Sequence, residues 1–213
     1  MHIDALIVGP FESVCYLIWG AERRVLVLDP GADPEAIRAR LDAHRVELAG
    51  CLLTHGHVDH VSALSALLEG GSAFWAIHPR DLAWTFSASN RLPPYYETPR
   101  RPASAPRLLE DGQAAAEAGL AFRVLWTPGH SPGGVCFYFP EAGALFSGDT
   151  LFRGTVGRTD LPAGDGRQLA ASLRKLAVLP PATRIYPGHG PATTLDDEFR
   201  GNPFLKRPAP GRG

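Results

Sequence analysis

The sequence predicts a mixed α/β protein in which two β-sheets pack face to face with helices outside them. In the first half of the chain, apolar strand-like runs alternate with segments of helical periodicity. The second half returns to apolar strands and then to an amphipathic helix. With 213 residues, 45% of them hydrophobic, the chain is long enough for one sizeable core. We therefore expect one domain over residues 1–207 and a disordered tail at 208–213.

Five apolar runs predict the strands of the first half, at residues 3–9, 13–20, 23–29, 48–55 and 72–78. A helix is predicted over residues 33–44, with Asp33 as its N-cap and Pro34 in its first turn. A second short helix, predicted at 60–71, ends in two glycines, which favour the end of a helix.

Strands of the second half are predicted at residues 120–129, 134–140, 143–149 and 182–190, the last ending in a turn. Leucines at 169, 173, 176 and 179 recur at helical spacing and predict an amphipathic helix over 167–180. A short helix follows at 195–201. This periodicity supports the fold class, but it leaves the order of the strands open.

Charge and composition argue against several classes of protein. Basic and acidic residues nearly balance, 21 against 22, so there is no basic excess of the kind that nucleic-acid binding requires. No apolar stretch reaches membrane-spanning length, and the first twenty residues lack the basic region of a signal peptide. Cys15, Cys51 and Cys136 lie in apolar runs and predict buried free thiols. We expect a cytoplasmic protein.

The motif "THGHVDH" at residues 54–60 places four titratable side chains directly after a buried strand. His55 and His57 are two residues apart, which puts both side chains on one side of an extended chain. Asp59 and His60 follow at the turn into a helix. Taken singly, Asp59 could be a helix cap and His60 a solvated residue. Together the four match the ligands of a catalytic divalent metal.

Three further candidate ligands lie in similar contexts along the chain. His130 in "TPGHSPGG", Asp149 in "LFSGDT" and His189 in "YPGHGP" each follow a predicted strand and precede a turn. Loops at strand ends are where functional sites are commonly built. The sequence therefore predicts that these residues join the histidine cluster in one metal site.

The motifs "THGHVDH", "PGHSPGG", "SGD" and "PGHG", in this order, resemble those of the metallo-β-lactamase superfamily and extend over nearly the whole chain. The run "GDTLFRGTVGRTDLPAGD" and the late "NPFL" are similar to the glyoxalase II branch, and more narrowly to its short, single-domain hydroxyacylglutathione hydrolase-like members. This resemblance implies a four-layer αββα sandwich of two mixed β-sheets flanked by helices, with the metals at one edge of the sheets.

The resemblance also implies a ligand set for two divalent metal ions. The first metal would be held by three histidines and the second by an aspartate and two histidines, with one more aspartate bridging the two: His55, His57 and His130; Asp59, His60 and His189; and Asp149. A site of histidine and aspartate without thiolate suits zinc, our first choice, and also iron or manganese.

The activity that the resemblance implies is hydrolysis of a glutathione thioester such as S-lactoylglutathione. A metal-bound hydroxide would attack the thioester carbonyl, with Asp59 as the catalytic residue that orients its proton. The expected partner is this small molecule, with neither nucleic acid nor membrane, and homo-oligomerisation is left open. Glyoxalase II also has a helical C-terminal domain that contacts glutathione, and the short stretch after His189 leaves glutathione as the carrier in doubt.

Substrate contacts are predicted from two loops. Residues 86–107 contain five prolines and form a long irregular segment, which we expect to overhang the metal site with Tyr95 or Tyr96 reaching the ligand. A solvated connector is the alternative. Arg158 follows Asp149 at about the spacing at which glyoxalase II enzymes place a lysine that meets the glutathione carboxylate. It would hold that carboxylate, or alternatively pair with Asp160 and shape the loop.

Four other functions are conceivable for a sequence of this kind. The main alternative is a persulfide dioxygenase of the same fold, which uses one iron held by two histidines and an aspartate. A β-lactamase would be exported, and a ribonuclease would need a basic RNA-binding surface, so the sequence disfavours both. A binding module with a decayed site is disfavoured because all seven ligand positions are filled.

Overall fold

A computed structural model of the chain describes residues 1–206, so the tail predicted at 208–213 lies outside the described residues. Two six-stranded β-sheets face each other, and helices cover their outer surfaces. The predicted fold class, an αββα arrangement with two mixed sheets, is confirmed. The strand order, which the sequence had left open, is now established for both sheets.

The first sheet contains the first six strands in sequence order. They are β1 His2–Val8, β2 Ser13–Trp19, β3 Arg24–Leu28, β4 Glu47–Leu52, β5 Phe74–Ile77 and β6 Arg107–Leu108. Strands β1 to β3 pair antiparallel, whereas β3 to β6 pair parallel. The parallel strands need crossover connections, and these carry the helices of this half.

The four helices of this half are α1 Pro34–His44, α2 Val58–Val61, α3 Leu64–Leu68 and α4 Pro79–Thr85. The helix predicted at 60–71 is thus two short helices. Asp33 is the N-cap residue of α1, as predicted, but its side chain forms no capping hydrogen bond, because its carboxylate accepts the backbone N–H of Gly9 at 2.8 Å. Within residues 1–206, no helix is both long and apolar enough to cross a membrane.

The second sheet consists of six later strands, and two helices cover it. A separate small hairpin lies between two of these strands in the sequence. In chain order these elements are β7 Ala114–Glu117, β8 Leu120–Trp126, β9 Val135–Phe139, β10 Ala144–Gly148, β11 Leu151–Phe152, β12 Thr155–Val156, α5 Gly166–Leu176, β13 Arg184–Pro187, β14 Thr193–Thr194 and α6 Leu195–Gly201. The sheet order is β14-β13-β10-β9-β8-β7, and β11 pairs with β12 outside it.

Three apolar clusters fill the spaces between the layers. Period-two alternation explains them: on β2, Tyr16 and Ile18 pack between the sheets, whereas Cys15 and Leu17 pack under the helices of the first half. Both faces of this strand are therefore buried. The rigid sheets hold the strand ends, and with them the loops that carry the candidate ligands, in fixed positions.

Candidate metal centre

Loops from both sheets converge at one edge of the molecule. The first sheet contributes the segment from the end of β4 to α2, which carries four of the candidate ligands. The second sheet contributes His130 between β8 and β9, Asp149 directly after β10, and His189 two residues after β13. A backbone bridge between Ser13 and His189, together with the hydrogen bond from Val14 N–H to Gly188 C=O at 2.7 Å, joins the two sheets here.

His55, His57 and His130 form a first group. One nitrogen from each lies within 4.8 Å of the others, and His57 Nδ1 is 2.9 Å from His130 Nε2. His55 and His130 are buried, whereas His57 is partly exposed toward the cleft described below. The structure thus brings together the three side chains predicted to hold the first metal.

Asp59, His60 and His189 form a second group. His189 Nε2 lies 3.3 Å from both Asp59 Oδ2 and His60 Nε2, and Asp59 Oδ2 is 3.7 Å from His60 Nε2. Helix α2 begins at Val58 without a side-chain cap, so Asp59 is not its N-cap. His60 is fully buried, so it is not a solvated surface residue either. Both alternatives considered from the sequence are therefore wrong.

Asp149 lies between the two groups, as the bridging role requires. Its Oδ1 is 3.5 Å from His60 Nε2, and its Oδ2 is 3.5 Å from His130 Nε2 and 3.7 Å from His189 Nε2. Gly188 permits this approach, because a Cβ atom there would overlap the Asp149 carboxylate. The glycine before His189 is thus needed to bring β13 close to the end of β10.

The arrangement fits divalent cations. His55 Nε2 and Asp149 Oδ1 are buried and have no hydrogen-bond partner, which is costly unless another group binds them. Ligand atoms around a tetrahedral zinc ion are roughly 3.3 Å apart, given zinc–nitrogen bonds of about 2.0–2.1 Å. The separations of 2.9–3.7 Å between neighbouring donor atoms bracket that value. A set of imidazole and carboxylate donors suits zinc, iron and manganese.

Burial keeps His55 and His57 of the first group neutral. Burial, followed by the neighbouring imidazoles, holds the pKa of His55 well below its usual value. The same causes, burial first and then His130, lower the pKa of His57 to about 3. Both rings therefore keep a free nitrogen lone pair at neutral pH, which is the form that binds a metal.

In the second group, neighbouring carboxylates raise the pKa of a histidine instead of lowering it. Burial alone would lower the pKa of His60, but Asp59 and Asp149 overcome this effect and raise it to about 10. The pKa of Asp59 is held below its usual range: burial would raise it, but His60 and His189 outweigh that effect. This pocket therefore favours a positive charge, and a metal cation can take the place of the proton on His60.

Asp29 supports the site from behind, although the sequence analysis placed it only at a strand end. It accepts hydrogen bonds from Thr54 N–H at 2.7 Å and from Thr54 Oγ1 at 2.6 Å, and its Oδ2 lies 3.1 Å from His60 Nδ1. Such a carboxylate fixes the tautomer and orientation of a ligating histidine. Asp29 has a φ of +49°, an uncommon backbone for a residue other than glycine, and such strain is concentrated at functional sites.

Asp81 of α4 is the second residue that the sequence analysis missed. Its buried carboxylate accepts from Gly56 N–H at 2.9 Å, Ser131 Oγ at 2.7 Å and Gly133 N–H at 2.6 Å. Gly56 lies between two histidines of the first group, and Ser131 directly follows the third. Asp81 therefore holds together the two loops that supply that group.

The candidate ligands open into a cleft of about 540 Å³. Five of the seven line it, together with apolar side chains from the β1–β2 turn, the 86–107 segment and the β11–β12 hairpin. Phe11, Leu92, Phe152 and Val156 are the main apolar contributors. A concave, mostly apolar site with a few convergent polar groups is typical of small-molecule binding.

Of the predicted substrate contacts, Arg158 reaches the cleft and the tyrosines do not. Residues 86–107 line the cleft through Asn90 and Leu92. Tyr95 and Tyr96 are not among the lining residues and pack against Phe11, with ring centroids 5.3 and 5.6 Å apart, so their contact with a ligand stays a prediction. A turn at residues 93–95 precedes Tyr96, which is buried, whereas Tyr95 remains exposed.

The position of Arg158 is compatible with both predicted roles, which are binding a substrate carboxylate and pairing with Asp160 to shape the loop. Arg158 lines the cleft, and its guanidinium forms two parallel hydrogen bonds of 2.7 Å with Asp160. Its backbone carbonyl accepts from His130 Nδ1 at 2.9 Å, which turns His130 Nε2 toward the metal site. The arginine thus shapes its loop through the backbone, while its side chain remains 62% exposed.

The late "NPFL" motif holds the hairpin that forms one wall of the cleft. The buried Glu198 of α6 accepts from Gly154 N–H and from Asn202 Nδ2, each at 2.8 Å. Asn202 also donates to Thr155 C=O at 3.0 Å. This network fixes the β11–β12 turn, and therefore fixes Phe152 and Val156 in the wall.

Comparison with known proteins also indicates a metal-binding hydrolase fold. Residues 8–189 match the family model described as the metallo-beta-lactamase superfamily. The hydroxyacylglutathione hydrolase GloC of Haemophilus influenzae is 36% identical over 209 residues, covering 96% of this chain and 98% of that protein. The probable metallo-hydrolase YqgX of Bacillus subtilis is 34% identical, covering 93% of this chain and 94% of its own.

Two solved structures are also similar over almost their full length. The BLEG-1 B3 metallo-beta-lactamase superposes with a TM-score of 0.89 at 35% identity, covering 96% of this chain and 99% of its own. TTHA1623, solved in a di-iron-bound form, superposes with a TM-score of 0.84 at 42% identity, covering 95% of this chain and all of its own. The fold, the converging histidines and aspartates, and these matches agree: the chain belongs to the metallo-β-lactamase superfamily.

Proposed function

We propose that this protein is a dinuclear metal-dependent hydrolase of glutathione thioesters, with S-lactoylglutathione as a representative substrate. The observation that carries the proposal is the convergence of two complete ligand groups on Asp149 at the base of an apolar cleft. The similarity to a hydroxyacylglutathione hydrolase over nearly the whole chain supports the choice of substrate.

His55, His57 and His130 would hold one cation, Asp59, His60 and His189 the other, and Asp149 both. Divalent cations bound there supply a nucleophile at neutral pH by lowering the pKa of water, and they polarise a carbonyl. Asp59 remains ionised, because the neighbouring histidines keep its pKa low, so its carboxylate can accept and orient a proton at the centre of the site.

No cysteine is available as a nucleophile. Cys15, Cys51 and Cys136 are all buried in the apolar clusters, away from the cleft. Burial raises the pKa of Cys51 to about 12 and that of Cys136 to about 11, so both remain thiols at neutral pH. These residues therefore support hydrolysis without a covalent intermediate on a cysteine.

The decisive experiment combines metal analysis with substrate assays. Protein loaded separately with zinc, iron or manganese is tested for metal content, for anaerobic hydrolysis of S-lactoylglutathione, and for hydrolysis of a chromogenic β-lactam. We expect two metals per chain and oxygen-independent thioester hydrolysis as the principal activity. β-Lactam hydrolysis as the faster reaction would instead assign a function like that named for BLEG-1.

The persulfide dioxygenase of the same fold remains the second candidate, because two histidines and an aspartate for one iron are present within the larger set. Oxygen uptake with glutathione persulfide is the matching assay. One tightly bound iron per chain, together with oxygen uptake and no thioester hydrolysis, would favour this candidate and overturn the dinuclear proposal.

Arg158 provides a test of the glutathione carrier. If its guanidinium leaves Asp160 to bind a glutathione carboxylate, Arg158→Ala should raise KM for glutathione thioesters about tenfold or more, while thioesters without a carboxylate are little affected. Steady-state kinetics on both substrate classes measures this. Arg123→Ala, on the exposed face of β8, is the control. Equal losses on both classes, with reduced metal content, would mean that Arg158 acts only through its loop.

A further inference from the structure

Beyond the metal ligands, the cleft has few groups that would bind a polar substrate. Among the lining residues, Arg158 carries the only cationic side chain of lysine or arginine type, and that side chain is paired with Asp160. The Asn90 amide group donates to Gly56 C=O and Thr85 C=O, both at 2.7 Å, so its donors are committed. Most of the remaining wall is aliphatic or aromatic.

Phe11 is an apolar side chain of that wall that is held in place by aromatic packing. It lies in the turn between β1 and β2, yet its ring contacts both Tyr95 and Tyr96. Tyr96 is only 6% exposed, so it forms a fixed base, whereas Phe11 and Leu92 remain 36% and 47% exposed. Large apolar side chains left exposed together beside a polar site commonly mark a binding surface.

Phe11 and Arg158 approach the site from different ends. Phe11 lies two residues before Ser13, whose hydroxyl donates to Asp59 C=O at 2.6 Å and whose backbone bridges to His189. It therefore belongs to the side of the second ligand group. Arg158 is attached to the first group through its carbonyl contact with His130. A thioester lying across both groups would place one arm near each residue.

From this arrangement we infer that the preferred substrates are thioesters with an apolar acyl group, of medium chain length or aromatic, and that Phe11 determines this preference. The inference rests on the proposed thioester hydrolysis. The thiol arm, which carries carboxylates in glutathione, is directed to Arg158 because that is the cationic end of the cleft. The acyl arm then lies against Phe11 and Leu92, which offer no hydrogen bond to a hydroxyl such as that of a lactoyl group.

The first test measures binding without hydrolysis. S-Methylglutathione and S-hexylglutathione are thioethers that cannot be hydrolysed as thioesters, and calorimetry on the metal-loaded protein gives their dissociation constants. Each buried methylene adds to binding, so S-hexylglutathione should bind at least about tenfold more tightly than S-methylglutathione. Phe11→Ala should remove most of that difference, and Phe11→Leu should retain most of it.

The matched control is Val178→Ala, which shortens an exposed apolar side chain just after α5 and should leave the difference unchanged. Thermal unfolding of each variant verifies that it is folded. The kinetic counterpart is the ratio of kcat/KM for S-hexanoylglutathione to that for S-lactoylglutathione, which should exceed one and fall about tenfold in Phe11→Ala.

The outcomes separate this inference from the proposed function. Hydrolysis of both thioesters with no preference for the longer acyl group, or a preference that Phe11→Ala leaves intact, would overturn the inference and preserve the proposed function. A Phe11-dependent preference among the thioethers without hydrolysis of any thioester would support the apolar cleft and overturn the proposed function. Absence of measurable thioether binding would overturn the inference.

Discussion

Replacing Asp59 with alanine is expected to lower kcat/KM for thioester hydrolysis by about 10³-fold, which corresponds to about 4 kcal/mol of lost transition-state stabilisation. The substitution removes a carboxylate that lies 3.3 Å from His189 Nε2 and 3.7 Å from His60 Nε2. It removes both a ligand of the second metal and the group that orients a proton in the site. Steady-state kinetics and metal analysis of the same preparation measure the two losses.

Asp42→Ala is the control for this substitution, because it removes a carboxylate from the exposed face of α1, far from the cleft. Its activity and metal content should match those of the unmodified protein. Near-normal hydrolysis by Asp59→Ala would exclude Asp59 from the chemistry. Loss of the second metal with unchanged rate would show that one metal is sufficient, which would contradict the dinuclear proposal.

The candidate ligands could be identified from the sequence because their crowding has no structural explanation. A packed core gains nothing from His55, His57, Asp59 and His60 within six residues. The β-strand pattern likewise predicted that His130 and the later candidates follow strand ends. Since strands of a sheet end at shared edges, loops distant in sequence meet there. The structure brings together all seven positions that the sequence had selected.

The supporting residues could not be found in this way. Asp29 ends a predicted strand, and Asp81 lies shortly after another one. Neither belongs to a motif of several titratable residues, and a lone aspartate in such a position usually caps a helix or forms a turn. Their roles depend on partners 25 to 52 residues away in sequence. Only the packing of α4 against the ligand loops shows that the Asp81 carboxylate is buried and fully bonded.

The proline-rich segment shows a related limit. Its length and aromatic content predicted that it overhangs the metal site. Asn90 and Leu92 of this segment do line the cleft, but neither side chain had been predicted to do so. Which face of such a segment points inward depends on what it packs against. Here the β1–β2 turn supplies Phe11, and both tyrosines pack on that ring. Phe11 lies between two predicted strands, and no motif around it indicates this role.

Replacing Asp81 with alanine should strongly lower the free energy of unfolding. The change leaves two backbone N–H groups, of Gly56 and Gly133, and the Ser131 hydroxyl buried without their acceptor. Each unsatisfied buried donor costs about 1–3 kcal/mol, so the free energy of unfolding should fall by about 3–5 kcal/mol. Urea unfolding of the metal-free protein measures this fall directly.

The same substitution tests whether Asp81 positions the metal ligands or only stabilises the fold. Because Asp81 joins the loop of His55 and His57 to the loop of His130, its loss should weaken metal binding at the first group by about 10–100-fold. Asp111→Ala is the matched control, since Asp111 also accepts a backbone N–H, from Trp126, but lies exposed beside Lys175. That variant should lose stability modestly and retain metal affinity. If the two variants bind metal equally well, Asp81 stabilises the fold without positioning the ligands.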